Sequence, residues 1–336
     1  MKKILFLFGL IIASLQTYAD TRAQALLLHN GQGKSFDANQ LQQAVNEAVA
    51  GDTIYLSEGA FLIPNYTLVI DKTISIIGAG ADVCKIGGSV DIAIEGNPTF
   101  DRYILDAVKI DTTVTVRKSM KGVYLRKCWI GNFFQVADDA EASDIQIDRS
   151  YIYRFYPALN MKSATLTNTI MHYQGYNKPS KVRFVEGHDI NFINCNIYYL
   201  DSWCYLAATY QNCMICGTNL STSAINNTFI NTIFGNSGGY NANQYCPENG
   251  NVRTNCYSVA LQVNIQDKNN AFPEFTITKE ERQSKGYLGT DGLIVGADGG
   301  VMPYSMKPDG LTIKESLLRV DPETRKLNVT LKVATE

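Results

Sequence analysis

One pattern of apolar and polar positions recurs seven times between Val123 and Cys256. It reads apolar, any, apolar, any, Asn or a basic residue, then Cys, Ser or Thr, any residue and apolar. The centres of the copies are Cys128, Ser150, Thr169, Cys195, Cys213, Thr232 and Cys256. Successive centres are 22, 19, 26, 18, 19 and 24 residues apart, which gives a period of about 21 residues. Such a period indicates a stack of repeated structural units.

Within each copy the alternation of apolar and other residues predicts a β-strand with one buried face. In the fourth copy, the break in alternation at Asn194 predicts a bend between inward-facing Phe192 and inward-facing Cys195. One bend per copy predicts a solenoid. Asn tolerates the left-handed backbone that such bends require, and its amide can bond to a stacked neighbour. We therefore expect a ladder formed by Asn168, Asn194, Asn212, Asn231 and Asn255.

A segment with helical spacing precedes the repeat. Its N-cap is Asp37 and its stop signal is Gly51, and short β-rich runs follow at 53–56, 66–70 and 73–77. A helix at this point would cover the unpaired backbone of the first coil. The apolar positions that define it are Leu41, Ala44, Val45, Ala48 and Val49.

Two sequence stretches resemble the N-terminal entry of the pectate-lyase-like superfamily. They are AVNEAVAGDTIYLSEGAF, from Ala44 to Phe61, and ISIIGAG, from Ile74 to Gly80. With the repeats, the resemblance covers about residues 35–270. It implies an all-β fold, a right-handed parallel β-helix with an N-terminal helix cap. The superfamily includes polysaccharide lyases, polygalacturonases, pectin esterases and non-catalytic adhesins, so the fold leaves the function open.

The catalytic signatures of those enzymes are mostly missing. Polygalacturonase-like hydrolysis needs carboxylates on adjacent coils, and the pair Asp138-Asp139 and the sequence Gly187-His188-Asp189 match only part of the family pattern. The Trp-containing signatures of pectate lyases are also absent. The acidic group Asp138, Asp139, Glu141 and Asp144 is therefore interpreted as a solvated loop. Neither a cofactor nor a metal site is predicted.

The N-terminus predicts export. Lys2 and Lys3 precede an apolar stretch that is short for a membrane span, and small residues suit cleavage after residue 19, or as late as residue 25. The expected location is secreted, periplasmic or at the cell surface. No later apolar run is long enough to span a membrane.

The repeat ends near Ala271, and residues 275–336 are predicted to form a small β module. The alternation from Leu327 to Val333 predicts a strand, with a hairpin partner that includes Leu317 to Val320. This tail resembles the extension of uncharacterised exported β-helix proteins of gut-type bacteria. We expect it to cap the last coil; the alternative for its Gly-rich part is contact with a partner or the cell surface.

Charge and cysteine usage narrow the function further. A formal net charge of −2 argues against a nucleic-acid partner. Four of the eight cysteines occupy the small inward position of the repeat, which favours buried free thiols. Cys213 and Cys216 lie in a strand pattern without a second ligand pair, which argues against zinc. Any disulfide is expected among Cys84, Cys204 and Cys246.

The longest step, from Thr169 to Cys195, contains an insertion rich in basic and aromatic residues. Insertions on one face of a solenoid often form its binding site. Basic side chains can neutralise uronate carboxylates, and a histidine can transfer a proton. The catalytic assignments are Lys181, Arg183 and His188, and the substrate-binding assignments are His172, Tyr199, Trp203 and Tyr205.

These patterns favour an exported protein that binds polysaccharide. If it is an enzyme, the expected class is a polysaccharide lyase or glycoside hydrolase acting on acidic glycans. The alternative is a non-catalytic adhesin or structural surface protein that binds a protein partner.

Overall fold

The described part of the chain is a parallel β-solenoid of about seven turns. In the computed structural model, the described residues are 23–98, 103–156, 160–174, 188–200, 208–218, 226–235, 250–259, 263–264, 274–275, 277–307, 311–320 and 327–335. The N-terminal helix and the stacked parallel strands confirm the fold class expected from the repeat.

Two long sheets form the walls of the solenoid. In spatial order, the 12-stranded sheet contains β2 (Gln32–Asp37), β1 (Gln24–His29), β3 (Thr53–Leu56), β5 (Ser75–Gly78), β7 (Leu105–Asp106), β10 (Met120–Arg126), β12 (Ala142–Asp148), β14 (Ser163–Thr167), β16 (Asp189–Ile193), β18 (Ala208–Gln211), β20 (Thr228–Ile230) and β22 (Val252–Thr254). The 11-stranded sheet contains β4 (Gly59–Ile70), β6 (Cys84–Ile92), β8 (Lys109–Ile110), β9 (Val114–Val116), β11 (Trp129–Val136), β13 (Tyr151–Phe155), β15 (Ile170–Gln174), β17 (Asn196–Leu200), β19 (Met214–Thr218), β21 (Ile233–Gly235) and β23 (Tyr257–Val259).

Four further strands form two small antiparallel pairs. Strand β24 (Val263–Asn264) pairs with β25 (Glu274–Phe275), and β26 (Leu311–Val320) pairs with β27 (Leu327–Thr335). The second pair is the C-terminal hairpin that the alternating residues predicted, and it is longer than expected on its first strand.

The first hairpin was not anticipated from the sequence. Strand β1 runs antiparallel to both β2 and β3, whereas β3 begins the parallel pairing by joining β5. Ala25 is fully buried in β1. Cleavage of a signal peptide as late as residue 25 would therefore remove the start of a packed strand.

The interior follows the repeat. The centres in the first six copies are all fully buried, while Cys256 in the last copy is half-buried. Aromatic rings also stack through the core from coil to coil: Phe192 and Tyr210 lie 4.9 Å apart, as do Tyr210 and Phe229. Small residues fit the inward position because the chain bends there and the two sheets converge.

The bend itself has left-handed backbone, as the asparagines predicted. The φ angles are +46° at Asn168, +51° at Asn194 and +57° at Asn212. Lys127 and Arg149 adopt the same conformation at φ +50° and +46°, although neither residue favours it as asparagine does. The geometry of the coil therefore overrides the local preference in the first two copies.

A short helical cap covers the N-terminal end. It consists of a 3-10 turn, Ala38–Gln40, followed by α1 (Leu41–Glu47). The side chain of Gln42 in α1 accepts a hydrogen bond from the Val69 N–H at 2.8 Å and donates one to the Val69 carbonyl at 3.1 Å. Gln42 thus satisfies both backbone groups of one residue on edge strand β4, much as a neighbouring strand would.

The Gly-rich segment after the repeat lies along the side of the solenoid and contacts the last described coil, where the ring centroids of Tyr287 and Tyr257 are 4.5 Å apart. Helix α2 (Lys279–Ser284) leads into residues 286–307, here called the strap, which runs back along the side of the solenoid. The strap carbonyl of Gly299 accepts from Asn168 Nδ2 at 2.8 Å, and that of Lys307 accepts from Lys127 Nζ. Val295 of the strap packs against the outer face of the 11-stranded sheet at Ile233, and Met306 packs there near Trp129.

The cysteines are free thiols wherever the structure describes them. They are Cys84, Cys128, Cys195, Cys213, Cys216 and Cys256. Cys213 lies in the interior and Cys216 lies on the outer face beneath the strap, so the pair points to opposite sides of the sheet and cannot share a zinc ion. Burial raises the pKa of both thiols. The other two cysteines, Cys204 and Cys246, lie outside the described residues.

None of the helices in the described ranges combines the length and the apolar character needed to cross a membrane.

Candidate functional site

The solenoid has two different edges. At the turn edge, every coil from β7 onward passes from the 12-stranded to the 11-stranded sheet through two residues, as at Asn168 and Thr169 between β14 and β15. At the loop edge, the chain returns to the 12-stranded sheet through connections of unequal length, such as 137–141, 175–188 and 236–251. Variable connections on one edge are where repeat proteins often carry their binding residues.

An aromatic cluster lies on the outer face of the 11-stranded sheet, next to the loop edge. We call it the aromatic strip. Its rings belong to four successive coils, because β11, β13, β15 and β17 pair in that order. Most of its side chains are half-buried. Its members are Phe133, Tyr153, Arg154, Tyr156, His172 and Tyr198.

The rings are ordered by strand register. Tyr153, His172 and Tyr198 each follow an inward residue of their strand, so they stack in a column on the outer face. The Tyr153 and His172 centroids are 4.7 Å apart at an interplanar angle of 13°, and His172 and Tyr198 are 4.9 Å apart at 21°. Both faces of the imidazole are therefore covered by tyrosines. A ligand would meet His172 only at the edge of its ring.

A cation lies over the first coils of the strip. The Arg154 guanidinium is 5.3 Å from the Phe133 centroid and 5.2 Å from the Tyr153 centroid, within the range of cation–π attraction. The pKa of His172 is lowered, mainly by burial of the ring and also by the nearby charge of Arg154. The strip thus combines one fixed positive charge with a histidine that favours its neutral form.

The structure places some of the residues assigned from the sequence and not others. His172 lies in β15 within the aromatic strip, and Tyr199 lies in the neighbouring strand β17, where its backbone pairs with Gly217. Lys181, Arg183, Trp203 and Tyr205 lie outside the described residues. Their connections, 175–188 and 201–207, leave the loop-edge ends of β15 and β17.

His188 lies apart from His172, because it immediately precedes β16 in the 12-stranded sheet. Its Nδ1 is 2.6 Å from the Met161 carbonyl oxygen, which can only accept, so Nδ1 carries the proton. Nε2 is buried and has no hydrogen-bond partner. In the neutral ring, Nε2 is the nitrogen that can accept a proton.

Sequence reasoning missed the first half of the strip. Tyr153, Arg154 and Tyr156 belong to the run YIYRFY at 151–156, within a copy of ordinary length. The available signal was the density of aromatic residues in that run. This signal was weaker than the signal from the coil with the longest insertion.

The acidic residues near the start of β12 do not form a catalytic pair. Asp138 and Asp139 lie in an exposed turn, as predicted, but Asp144 lies within β12 rather than in a loop. The Tyr124 hydroxyl donates to Asp144 at 2.7 Å, and this hydrogen bond lowers the pKa of the carboxyl. Glu141 forms an ion pair with Lys162 at 3.0 Å. Among the described residues, no three His, Cys, Asp or Glu side chains come together in a way that could hold a metal ion.

Comparison with known proteins adds no assignment: no protein-family model matches the chain, and no curated protein matches it.

Proposed function

We propose that this protein is exported and binds acidic polysaccharide along the aromatic strip. The supporting observation is that the strip gathers ring side chains and Arg154 in four successive coils, beside the connections that carry Lys181, Arg183, Trp203 and Tyr205. Half-buried aromatic residues with a few well-placed polar groups are typical of ligand sites.

The spacing of the strip suits a linear chain of sugars. Neighbouring strands are about 4.8 Å apart, which is close to the length of one sugar unit in an extended chain. A chain lying parallel to the solenoid axis would meet one coil per sugar. Tyrosine edges and hydroxyls would contact the sugar rings, and the Arg154 guanidinium would bind a uronate carboxylate in the forked geometry that arginine favours.

The proposal includes degradation of the bound polysaccharide, with His188 as the base that removes a proton. With Nδ1 donating to the Met161 carbonyl, Nε2 is the nitrogen that would take the proton that β-elimination removes next to a uronate carboxylate, and it would have to become exposed to do so because it is buried in this structure. Lys181 and Arg183 would neutralise that carboxylate. A β-elimination assay, which follows the unsaturated product, separates an enzyme from a binding protein.

The direct test is a glycan array probed with the chain lacking its first 19 residues. We expect binding to linear uronate-containing glycans and weaker binding to their neutral counterparts. Absence of binding to any acidic glycan would contradict the proposal and favour the adhesin or structural alternative.

A pair of arginine variants then locates the site. Arg154→Gln removes the cation of the strip, and hydrogen bonds to charged groups contribute about 1.5–3 kcal/mol, so affinity for acidic glycans should fall by roughly 10- to 100-fold. Arg117→Gln is the matched control, because Arg117 is half exposed, pairs with Asp91 and is not a member of the strip. Equal losses in both variants, measured by calorimetry, would show that binding responds to overall charge and not to the strip.

A further inference from the structure

The strap meets the solenoid along the turn edge, where the asparagine ladder was expected. The Asn212 Oδ1 accepts from the Thr290 N–H at 3.1 Å, and the Asn196 Oδ1 accepts from the Ala297 N–H at 2.9 Å. Asn168 Nδ2 donates to the strap carbonyls of Ala297 at 3.1 Å and Gly299 at 2.8 Å. The strap therefore uses the hydrogen-bonding groups that would otherwise join neighbouring coils.

The expected ladder survives in part, near the start of the strap, where Thr290 contacts Asn212. There Asn231 Nδ2 donates to Asn212 Oδ1 at 3.4 Å. Asn168 bonds to the strap instead, Asn212 bonds both to Asn231 and to the strap, and the buried Asn194 Oδ1 has no hydrogen-bond partner. Hydrogen bonds of Asn168 and Asn212 to the strap therefore help to fix the register of these coils.

The fit between strap and coils is close and anchored. An ideal Cβ at Gly300 would lie 2.2 Å from Asn194 Nδ2, so a side chain at this position must displace the Asn194 amide, the strap or the turn. Arg282 of α2 is almost fully buried and holds Asp298 of the strap through two hydrogen bonds of 2.8 and 2.6 Å. This paired, forked contact fixes the strap against α2.

We propose that the strap is a lock that closes last and makes the coils from Lys127 to Asn212 one cooperative unit. Its contacts join residues 78 positions apart at Asn212 and Thr290, and 180 apart at Lys127 and Lys307. Contacts of such long sequence separation form late, because loop closure must precede them. The coils reach their final stability only after the strap has docked, and they lose it when the strap leaves.

Two cysteines report on this lock in the unmodified protein. Cys216 lies beneath the strap beside Val295 and Ile277, whereas Cys213 faces the interior. Burial shields both thiols, so each reacts with a thiol reagent only when its surroundings open. Labelling resolved by residue, by peptide mass spectrometry under native conditions, should show the two thiols reacting at the same rate. If Cys216 reacts about tenfold faster or more, the strap opens independently of the coils and the lock is overturned.

A matched pair of glycine variants tests whether the close contact between the strap and Asn194 keeps the coils closed. Gly300 and Gly292 have φ angles of +70° and +74°, but a Cβ at Gly292 meets nothing within 4 Å. Because asparagine tolerates this backbone, Gly300→Asn and Gly292→Asn differ mainly in the clash with Asn194. We expect Gly300→Asn to accelerate labelling of Cys213 and Cys216 together by about tenfold or more, and Gly292→Asn to leave both unchanged.

The buried thiol of Cys84, in the N-terminal coils, is the internal reference. Its labelling rate should change less than the rates of Cys213 and Cys216. Acceleration at Cys216 alone in Gly300→Asn would contradict the proposal. Should that variant fail to fold, Asp298→Asn weakens the Arg282 contact without adding bulk. It should accelerate the same two thiols together, and an effect confined to Cys216 would again overturn the lock.

Discussion

At the turn edge every coil from β7 onward changes direction through two residues, while at the loop edge the same coils use connections as different as 137–141 and 236–251. The turn edge combines left-handed backbone, a small inward residue and hydrogen bonds to neighbouring coils or to the strap. These requirements act together, so a change in any of them alters the register between neighbouring coils. The loop-edge connections differ in length from coil to coil, although some of their residues, such as Ala140 and Met161, also pack in the core. Stability is concentrated at one edge, and the proposed binding residues are concentrated at the other.

The largest expected effect comes from inserting one glycine at each edge. Between Asn212 and Cys213, the insertion shifts the strand that follows and would turn fully buried Ile215 outward. We expect a loss of more than about 4 kcal/mol in the free energy of unfolding, which is exceptional for a single change. The same insertion between exposed Asp138 and Asp139 should cost less than about 1 kcal/mol. Similar urea-unfolding midpoints for the two variants would show that the two edges tolerate insertions equally, which contradicts the comparison.

The double variant Lys181→Ala/Arg183→Ala probes the loop edge through binding. Loss of hydrogen bonds from charged groups should weaken acidic-glycan affinity by about 2–3 kcal/mol, with the melting temperature nearly unchanged. The control is Arg117→Ala/Lys118→Ala, which removes two surface cations paired with Asp91 and Glu95. Calorimetry that finds full affinity in the first variant would separate these cations from the binding site.

Backbone strain at the turn edge gives a smaller effect. Asn212→Val and Asn212→Gly both lose the amide that contacts Thr290, but only valine resists the φ of +57°. The valine variant should therefore be less stable than the glycine variant by about 1–2 kcal/mol, the cost of left-handed backbone for an ordinary residue. Equal stability by chemical denaturation would mean that the turn can relax.

The smallest effect is a pH dependence next to the loop edge. The pKa of His172 is lowered from its ordinary 6.5, mainly by burial and secondarily by Arg154, so the unfolded chain binds a proton more readily than the folded chain. Its contribution to stability is complete above the unfolded pKa and declines as the pH falls below it. His172→Phe keeps a stacked ring without titration, so its melting temperature should fall less between about pH 7 and pH 5. Parallel melting curves would argue against this histidine as a source of the dependence.

Within the repeat, period and alternation were sufficient to predict the strands, the inward positions and the bends. Cys195 and Phe192 illustrate why: their burial follows from local spacing, which any stacked coil must respect. The strap could not be predicted in this way. Its segment has no apolar period, and its position depends on partners such as Asn168, which lies 131 residues from Gly299.

The candidate site was predicted in part for a similar reason. His172 was noticed because it adjoins an insertion, and Tyr199 because it follows in the next coil. Arg154 occupies a regular strand, so only the three-dimensional stacking on Phe133 and Tyr153 brings it to attention. The proposed catalytic and substrate-binding roles remain predictions, which the glycan and variant measurements address.

The pairing of Gln42 with Val69 has a consequence for self-association. A stack of parallel strands resembles a short piece of fibril, since each end can in principle template a further layer. Filament growth by head-to-tail addition needs two complementary ends. The side chain of Gln42 occupies the backbone N–H and carbonyl of Val69, so these two groups on the β4 edge are not available to pair with another strand. One amide side chain, placed by a helix of fewer than three turns, thus opposes polymerisation of the fold it covers.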